Sequence, residues 1–306
     1  GLGCEGTEMP TVQKAVAACG KPVQTLFIQE LGGAAKTTAE GMLIAQEMAI
    51  QASRLKPQEC DGGDIVLGLK CGSSDTTSGL AANPALGVVV ENLVAENAVV
   101  ILGEVTEFIG AEHILAAQAK DQATGDKILA LVERMENRVK AMGVDMRGGQ
   151  PTPGNIAGGL TTIEEKSLGA IAKVGNAVVQ EVYEYGQAPG VKGLVVMDSP
   201  GREPEILTGL AAAGSNVITF TTGRGAPQGF PFVPVIKITG NEKTWNHLRD
   251  HMDLSVHQVM DGKESLGQAG TRIYEAIETV ASGTRTKAEI SGYVQAMDIY
   301  VTGPVI

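Results

Sequence analysis

Apolar residues along this chain fall into short runs separated by longer stretches with helical spacing. VQTLFI (23–28), DIVLGLK (64–70) and AVVIL (98–102) are compact and rich in β-branched residues, so each predicts a buried strand. Between and after them, Thr38–Arg54, Asn83–Ala95 and 112–142 predict helices. The pattern resumes with a helix starting near Thr162, GLVVM (193–197), a helix over Glu203–Ala213, NVITF (216–220), VPVIKI (233–238) and a helix over Leu266–Ala281. Short buried strands alternating with helices predict an α/β fold of parallel-sheet, Rossmann-like units. RGGQPTPGN (147–155) is rich in Gly and Pro and reads as a loop. It sets an expected division into a first α/β lobe over 1–150 and a second over 151–306, although a loop inserted within one sheet would give the same pattern.

Composition narrows the function. The chain has 306 residues, 43% of them apolar, which is ample for a large core. Forty glycines against 4% aromatics suit loops that bring backbone close to a small ligand, and do not suit an aromatic-lined site for nucleobases or sugar rings. A net charge of -11 without a basic run argues against nucleic-acid binding. It also means that an anionic substrate needs cations focused locally in a cleft. The four cysteines form no C-x-x-C pair and no disulfide framework, and no secretory signal or membrane-spanning run is evident, so a reducing cytoplasm is expected. The opening GLGCEG, without an initiator Met, predicts a fragment whose preceding strand and N-terminal domain or small subunit lie outside it.

In an open α/β sheet ligands sit beyond the carboxyl ends of the strands, and the segments expected there are unusual. They read QELGGAAKTT (29–38), CGSSDTTSG (71–79), GEVTEFIGAEH (103–113) and TTGRGAPQG (221–229). The second offers a thiol, hydroxyls and a carboxylate, with a helix start behind them to face an anion; the plain alternative is a capped strand-to-helix turn. In the third, Glu104 and Glu107 share a face if the segment is helical, and with Glu112 and His113 they suit Mn, Fe or Mg. A solvated acidic turn would look the same. Cys4, beside Glu5, could ligate a soft divalent ion such as iron or be a small buried residue. Arg224 matches a carboxylate bidentately, and Lys166 could hold an anion or act as a base. His247, His251 and His257 read as surface residues. No dinucleotide, P-loop or nucleophile-elbow glycine motif occurs.

Six spaced segments, in order, resemble the altronate/galactarate dehydratase family: GLGCE (1–5), CGSSDTTSGLAANPALG (71–87), GEVTEFIGAEH (103–113), GNIAGGLTTIEEKSLG (154–169), FTTGRGAPQG (220–229) and TKAEISGY (286–293). The resemblance implies an iron- or manganese-type, metal-dependent lyase that removes water from sugar acids to give 2-keto-3-deoxy acids, often with a small N-terminal domain. CGSSDTTSG, GCEGTE, QELGGAAKTT and DSPGREPEILTGLAAAGS (198–215) look more like the branch that acts on (2R)-3-sulfolactate, the sulfo-lyase large subunit.

On that basis a divalent ion, Fe2+ first with Mn2+ or Mg2+ as alternatives, is expected near Cys71, Glu104 and Glu107, with Cys4 and Glu5 further candidates. Ser73, Ser74, Asp75 and Arg224 are expected to bind the substrate's oxygens and anionic groups. Lys166 or His113 is expected to be the base or the leaving-group acid. The ion would stabilise the enediolate that forms when the α-proton of a 2-hydroxy acid is removed. Homo-oligomerisation is a base-rate expectation. Two rivals are a non-catalytic anion-binding protein and a structural subunit whose catalytic residues lie elsewhere.

Overall fold

The computed structural model of the chain describes residues 1–4 and 9–303. The chain forms two compact units, Gly1–Glu59 and Cys60–Ile306. The first contains helices α1 (Met9–Ala18), α2 (Ile28–Leu31) and α3 (Ala34–Ser53), none with a buried side chain. VQTLFI, predicted as a strand, is not one. It runs to Phe27 and turns into α2, and its backbone meets the chain start: Gly1 N donates to Leu26 O at 2.8 Å and Ile28 N to Gly1 O at 3.0 Å. So brief a neighbour cannot build a ladder.

In the second unit the five other predicted strands assemble as β1 (Val66–Gly72), β2 (Val99–Leu102), β4 (Gly193–Met197), β5 (Val217–Thr222) and β6 (Val235–Thr239), joined by two that were not predicted, β3 (Val179–Tyr183) and β7 (Leu254–Ser255). They form one parallel sheet in the order β3-β4-β2-β1-β5-β6-β7. This corrects the division near residue 150. β1 and β2, from before it, lie between β4 and β5, from after it. Only that insertion satisfies both edges of β1 and β2, which are buried on each face.

The helices of this unit are α4 (Asn83–Ala95), α5 (Glu112–Ala117), α6 (Gln122–Ala141), α7 (Met146–Gly149), α8 (Pro153–Ala157), α9 (Ile163–Ile171), α10 (Glu203–Ala212), α11 (Glu242–His247), α12 (Leu266–Ala281) and α13 (Lys287–Ser291). α12 starts where Ser265 and Gln268 cap one another, and α9 where the Thr162 hydroxyl accepts from Glu165 N. The single helix predicted over 112–142 is two. Ala119 leaves it to bridge to Val179, and Asp121 caps a new start.

One face of the sheet presents Leu67, Leu69, Val100, Leu102, Leu194 and Val196 to a core shared with α4 and α12. The other presents Ile101, Val195, Met197, Ile218 and Phe220 to α10 through Ile206, Leu207 and Leu210. Ser78–Ala95 is long and apolar enough to cross a membrane, but 56% of it is buried inside the unit, as suits a core helix. Strand order reverses at β1: β2 follows on one side, and β5 returns on the other. The ends of β1 and β5 therefore flank a switch point, where an open sheet leaves a crevice.

Candidate active site

Beyond the carboxyl ends of β1, β2 and β4 lies a cleft of about 370 Å³, lined by Lys70–Ser74, Thr106, Glu107, Gln150, Thr152, Asn155, Lys166 and Gly201–Glu203 among others. Glu104 closes its floor. Its backbone adopts the left-handed region (φ 67), held where Glu104 N donates to Ser199 Oγ at 2.7 Å. That conformation turns the carboxylate back under β1, and it shows that Glu104 and Glu107 do not share a helix face; a 3-10 turn over Val105–Glu107 carries the second.

The floor is a closed ionic cluster. Lys70 Nζ donates to Glu104 Oε1 at 2.5 Å and to Gly201 O at 3.0 Å, and also meets Cys71 O. Glu104 Oε2 accepts from Cys71 N at 2.7 Å and from Lys173 Nζ at 2.9 Å. Lys173 Nζ lies 3.1 Å from Cys71 Sγ. All four residues are buried. Burial opposes charge on Lys70, Lys173 and Glu104, but the opposite charges win: both amines lie above their ordinary values and the carboxyl below its own. Burial, then the charge of Glu104, pushes the Cys71 thiol up to about 12, so it stays protonated.

The rim is less complete. Lys166 Nζ pairs with Glu107 Oε1 at 3.1 Å and donates to Gln150 Oε1 at 2.9 Å. Glu107 Oε2 is buried and has no hydrogen-bond partner among the described residues. A buried carboxylate oxygen without a donor is costly, and it marks a place for a ligand's proton or a cation. The cluster sets three ammonium groups against three carboxylates, Glu203 lying 4.0 Å from Lys70, and so gathers in one place the cations that an acidic protein must focus to receive an anion.

Several predicted residues therefore come together: Cys71, Glu104, Glu107, Lys166, Ser73 and Ser74. Ser73 (φ 49) is held where Arg224 N donates to its carbonyl at 3.0 Å, and Asn155 Nδ2 fixes Ser74 O at 2.9 Å. Asp75 has a structural position instead. Its oxygens accept from Thr77 Oγ1 at 2.7 Å, Ser78 N at 3.1 Å and Asn241 Nδ2 at 2.7 Å, so it caps the turn entering α4. Gly223 packs so close that a Cβ there would lie 2.7 Å from Asp75 N. Arg224 points away, with Nη1 on Gly154 O at 3.0 Å beside a separate hollow with Lys243 and His247. His113 is exposed on α5 and does not line the cleft. Cys4 is exposed in the first unit, where Gln29 Nε2 approaches its sulfur at 3.4 Å, and Glu5 lies outside the described residues.

Lys70, Lys173 and Asn155 are residues of the candidate site that sequence reasoning missed. A signal existed for Lys70: a lysine inside VLGLKCG, a strand otherwise without charge, must find a buried partner. Lys173 and Asn155 carried none.

The donors present do not fit a metal cage. Among the described residues no three His, Cys, Asp or Glu side chains converge. Glu104 is saturated by two ammoniums, and Cys71 is a thiol. Cys71 and Glu107 Oε2 remain as donors facing the cleft.

The D-galactarate/altronate dehydratase C-terminal family matches residues 63–303, the whole sheet and every loop of the cleft. The chain belongs to that family. It is 36% identical over 296 residues to the (2R)-sulfolactate sulfo-lyase subunit beta of Chromohalobacter salexigens, covering 95% of this chain and 75% of the relative. It is 33% identical over 314 residues to the galactarate dehydratase (L-threo-forming) of Escherichia coli, covering 100% of this chain and 60% of that protein. The altronate dehydratase of Bacillus subtilis is 35% identical over 246 residues, with 80% of this chain and 48% of the relative covered. All three relatives are lyases, so the α/β unit described above is that of a lyase family whose members differ in the group they expel.

Proposed function

We propose that this chain carries the catalytic unit of a lyase that eliminates the β-substituent of a small 2-hydroxy acid, with (2R)-3-sulfolactate as substrate and pyruvate and sulfite as products. The observation that carries this reading is Glu107 Oε2, a buried carboxylate oxygen that lines a cleft rich in cations and has no donor among the described residues. It is the proton acceptor for the α-carbon. Lys166, beside it, receives the substrate carboxylate and stabilises the enediolate charge as the proton leaves. The Cα–H bond breaks to give the carbon–carbon double bond, the β-group departs with its electron pair, and the enol becomes the 2-keto acid. Lys70, Lys173 and Glu104 hold the floor and keep water from the buried side.

The sulfo-lyase reading rests on the likeness to a protein named a sulfo-lyase subunit beta, which also supports a partner subunit for this chain. The second reading, dehydration of altronate or galactarate, is supported by relatives of similar identity. The test is turnover by the full-length protein with its partner subunit, with ferrous iron under anaerobic conditions and with chelator, on sulfolactate, altronate and galactarate in parallel. Sulfite and pyruvate from sulfolactate are expected; a 2-keto-3-deoxy acid from a sugar acid moves the protein to the dehydratases. No product from any of the three overturns the lyase reading.

A further inference from the structure

Arg202 precedes α10 and lines the cleft. It lies in DSPGREPEILTGLAAAGS (198–215), one of the stretches that resemble the sulfolactate branch. Its side chain is 63% exposed, and both of its ion pairs run through one nitrogen: Nη1 meets Glu205, and Asp298 Oδ2 at 3.0 Å. Nε and Nη2 carry no bond to any described residue. The other cations of the cluster are engaged, Lys70 by Glu104 and two carbonyls, Lys173 by Glu104 and Cys71, and Lys166 by Glu107 and Gln150. Arg202 thus presents, at the mouth of the cleft, a free pair of parallel N–H donors. That edge of a guanidinium fits two oxygens of one anion.

We propose that Arg202, rather than Arg224, is a specificity-determining residue that grips a second anionic group of a small acid, a sulfonate or a further carboxylate, while Glu107 and Lys166 act on its 2-hydroxy-carboxylate end. The identity of the acid rests on the lyase reading; the grip does not. In a sulfolactate the gripped group is the leaving sulfonate, which departs as sulfite and remains an anion beside the same guanidinium. Asp298 competes with the ligand for that charge and sets how firmly Arg202 is parked when the cleft is empty.

The test is titration calorimetry on the full-length protein with three probes: 3-sulfopropanoate, succinate and butanoate. The wild type is expected to bind at least one of the two dianions about tenfold or more tighter than butanoate, the scale of a charge-assisted bond. Arg202→Gln abolishes that preference with an unchanged melting curve, Arg202→Lys restores part of it, and Asp298→Asn strengthens it. The ratio of 3-sulfopropanoate to succinate distinguishes the sulfonate from the carboxylate. An equal preference in wild type and Arg202→Gln, or no preference for either dianion in the wild type, overturns the proposal. Turnover measured alongside separates the two readings. Active wild type with an indifferent Arg202→Gln defeats the clamp and leaves the lyase standing. A lost binding preference without turnover of any acid supports the clamp and defeats the lyase.

Discussion

The floor and the rim of the cleft contain the same kinds of side chain and treat them in opposite ways. On the floor, Glu104 receives two ammoniums and a backbone amide, and every charge is answered within about one side-chain length. At the rim, Glu107 has one oxygen paired and one unanswered, although both carboxylates are buried. A satisfied buried ion cluster fixes geometry, whereas an unsatisfied oxygen holds free energy that a ligand can release. On the proposed mechanism, the difference gives Glu104 an architectural role and Glu107 a chemical one.

The sharpest way to break this contrast is to remove each carboxylate's charge in turn. Glu107→Gln should lower kcat by about 10²–10⁴-fold, the range for a lost general base, with a smaller loss of stability than Glu104→Gln, because Glu107 answers Lys166 alone. A variant that keeps its turnover would remove Glu107 from the chemistry. Glu104→Gln should act chiefly on stability. It leaves Lys70 and Lys173 buried against a neutral amide, a loss of about 3–5 kcal/mol measurable by denaturant unfolding. A stability change near zero would show that the floor is not a closed cluster.

Titration sharpens the same point with a smaller effect. The amines of Lys70 and Lys173 and the thiol of Cys71 are raised in the fold, so their contributions are full below the ordinary values of 10.5 and 9.0 and are lost as pH rises through the folded ones. Glu104 is lowered, so its contribution is present above 4.5 and is lost as pH falls through its folded value. The contribution of this cluster to the melting temperature should therefore be flat between about pH 5 and 9 and decline on both sides, while Lys237, whose amine burial lowers to about 8, adds stability as pH rises from there toward its ordinary value. In that window iodoacetamide should alkylate the exposed Cys4, Cys19 and Cys60 and spare Cys71, as read by peptide mass mapping. Rapid labelling of Cys71 in the native protein would contradict its burial.

Much of the fold was legible because its signals are local. α4 and α12 occupy the spans that periodicity predicted, and the buried strands stand out as apolar runs. β3 was missed because VQEVY, on the sheet edge, is half-buried and carries a glutamate, and β7 because two residues make no pattern. VQTLFI misled for the converse reason: it has a strand's composition but no strand beside it. In the site, Cys71, Glu104, Glu107 and Lys166 were readable because loops after parallel strands converge at one end of a sheet. Asp75 and Arg224 have residue types suited to ligands, and only their partners, Asn241 and Gly154 O, reveal where those groups are spent. Lys70 and Lys173 answer a charge distant in sequence, which no single segment announces.

The three loops that build the cleft are separate insertions on one rigid sheet, and this has a consequence for how such an enzyme can change. Glu104 and Glu107 follow β2, the thiol sits at the end of β1 with the serines after it, and Arg202 follows β4. Rewriting the β4 loop from Arg202 onward would alter which leaving group or tail is recognised, while Ser199 and Gly201, which hold Glu104 and Lys70, stay in place. The architecture behaves as a socket with a replaceable jaw, in which a new substrate can be acquired by rewriting one short segment.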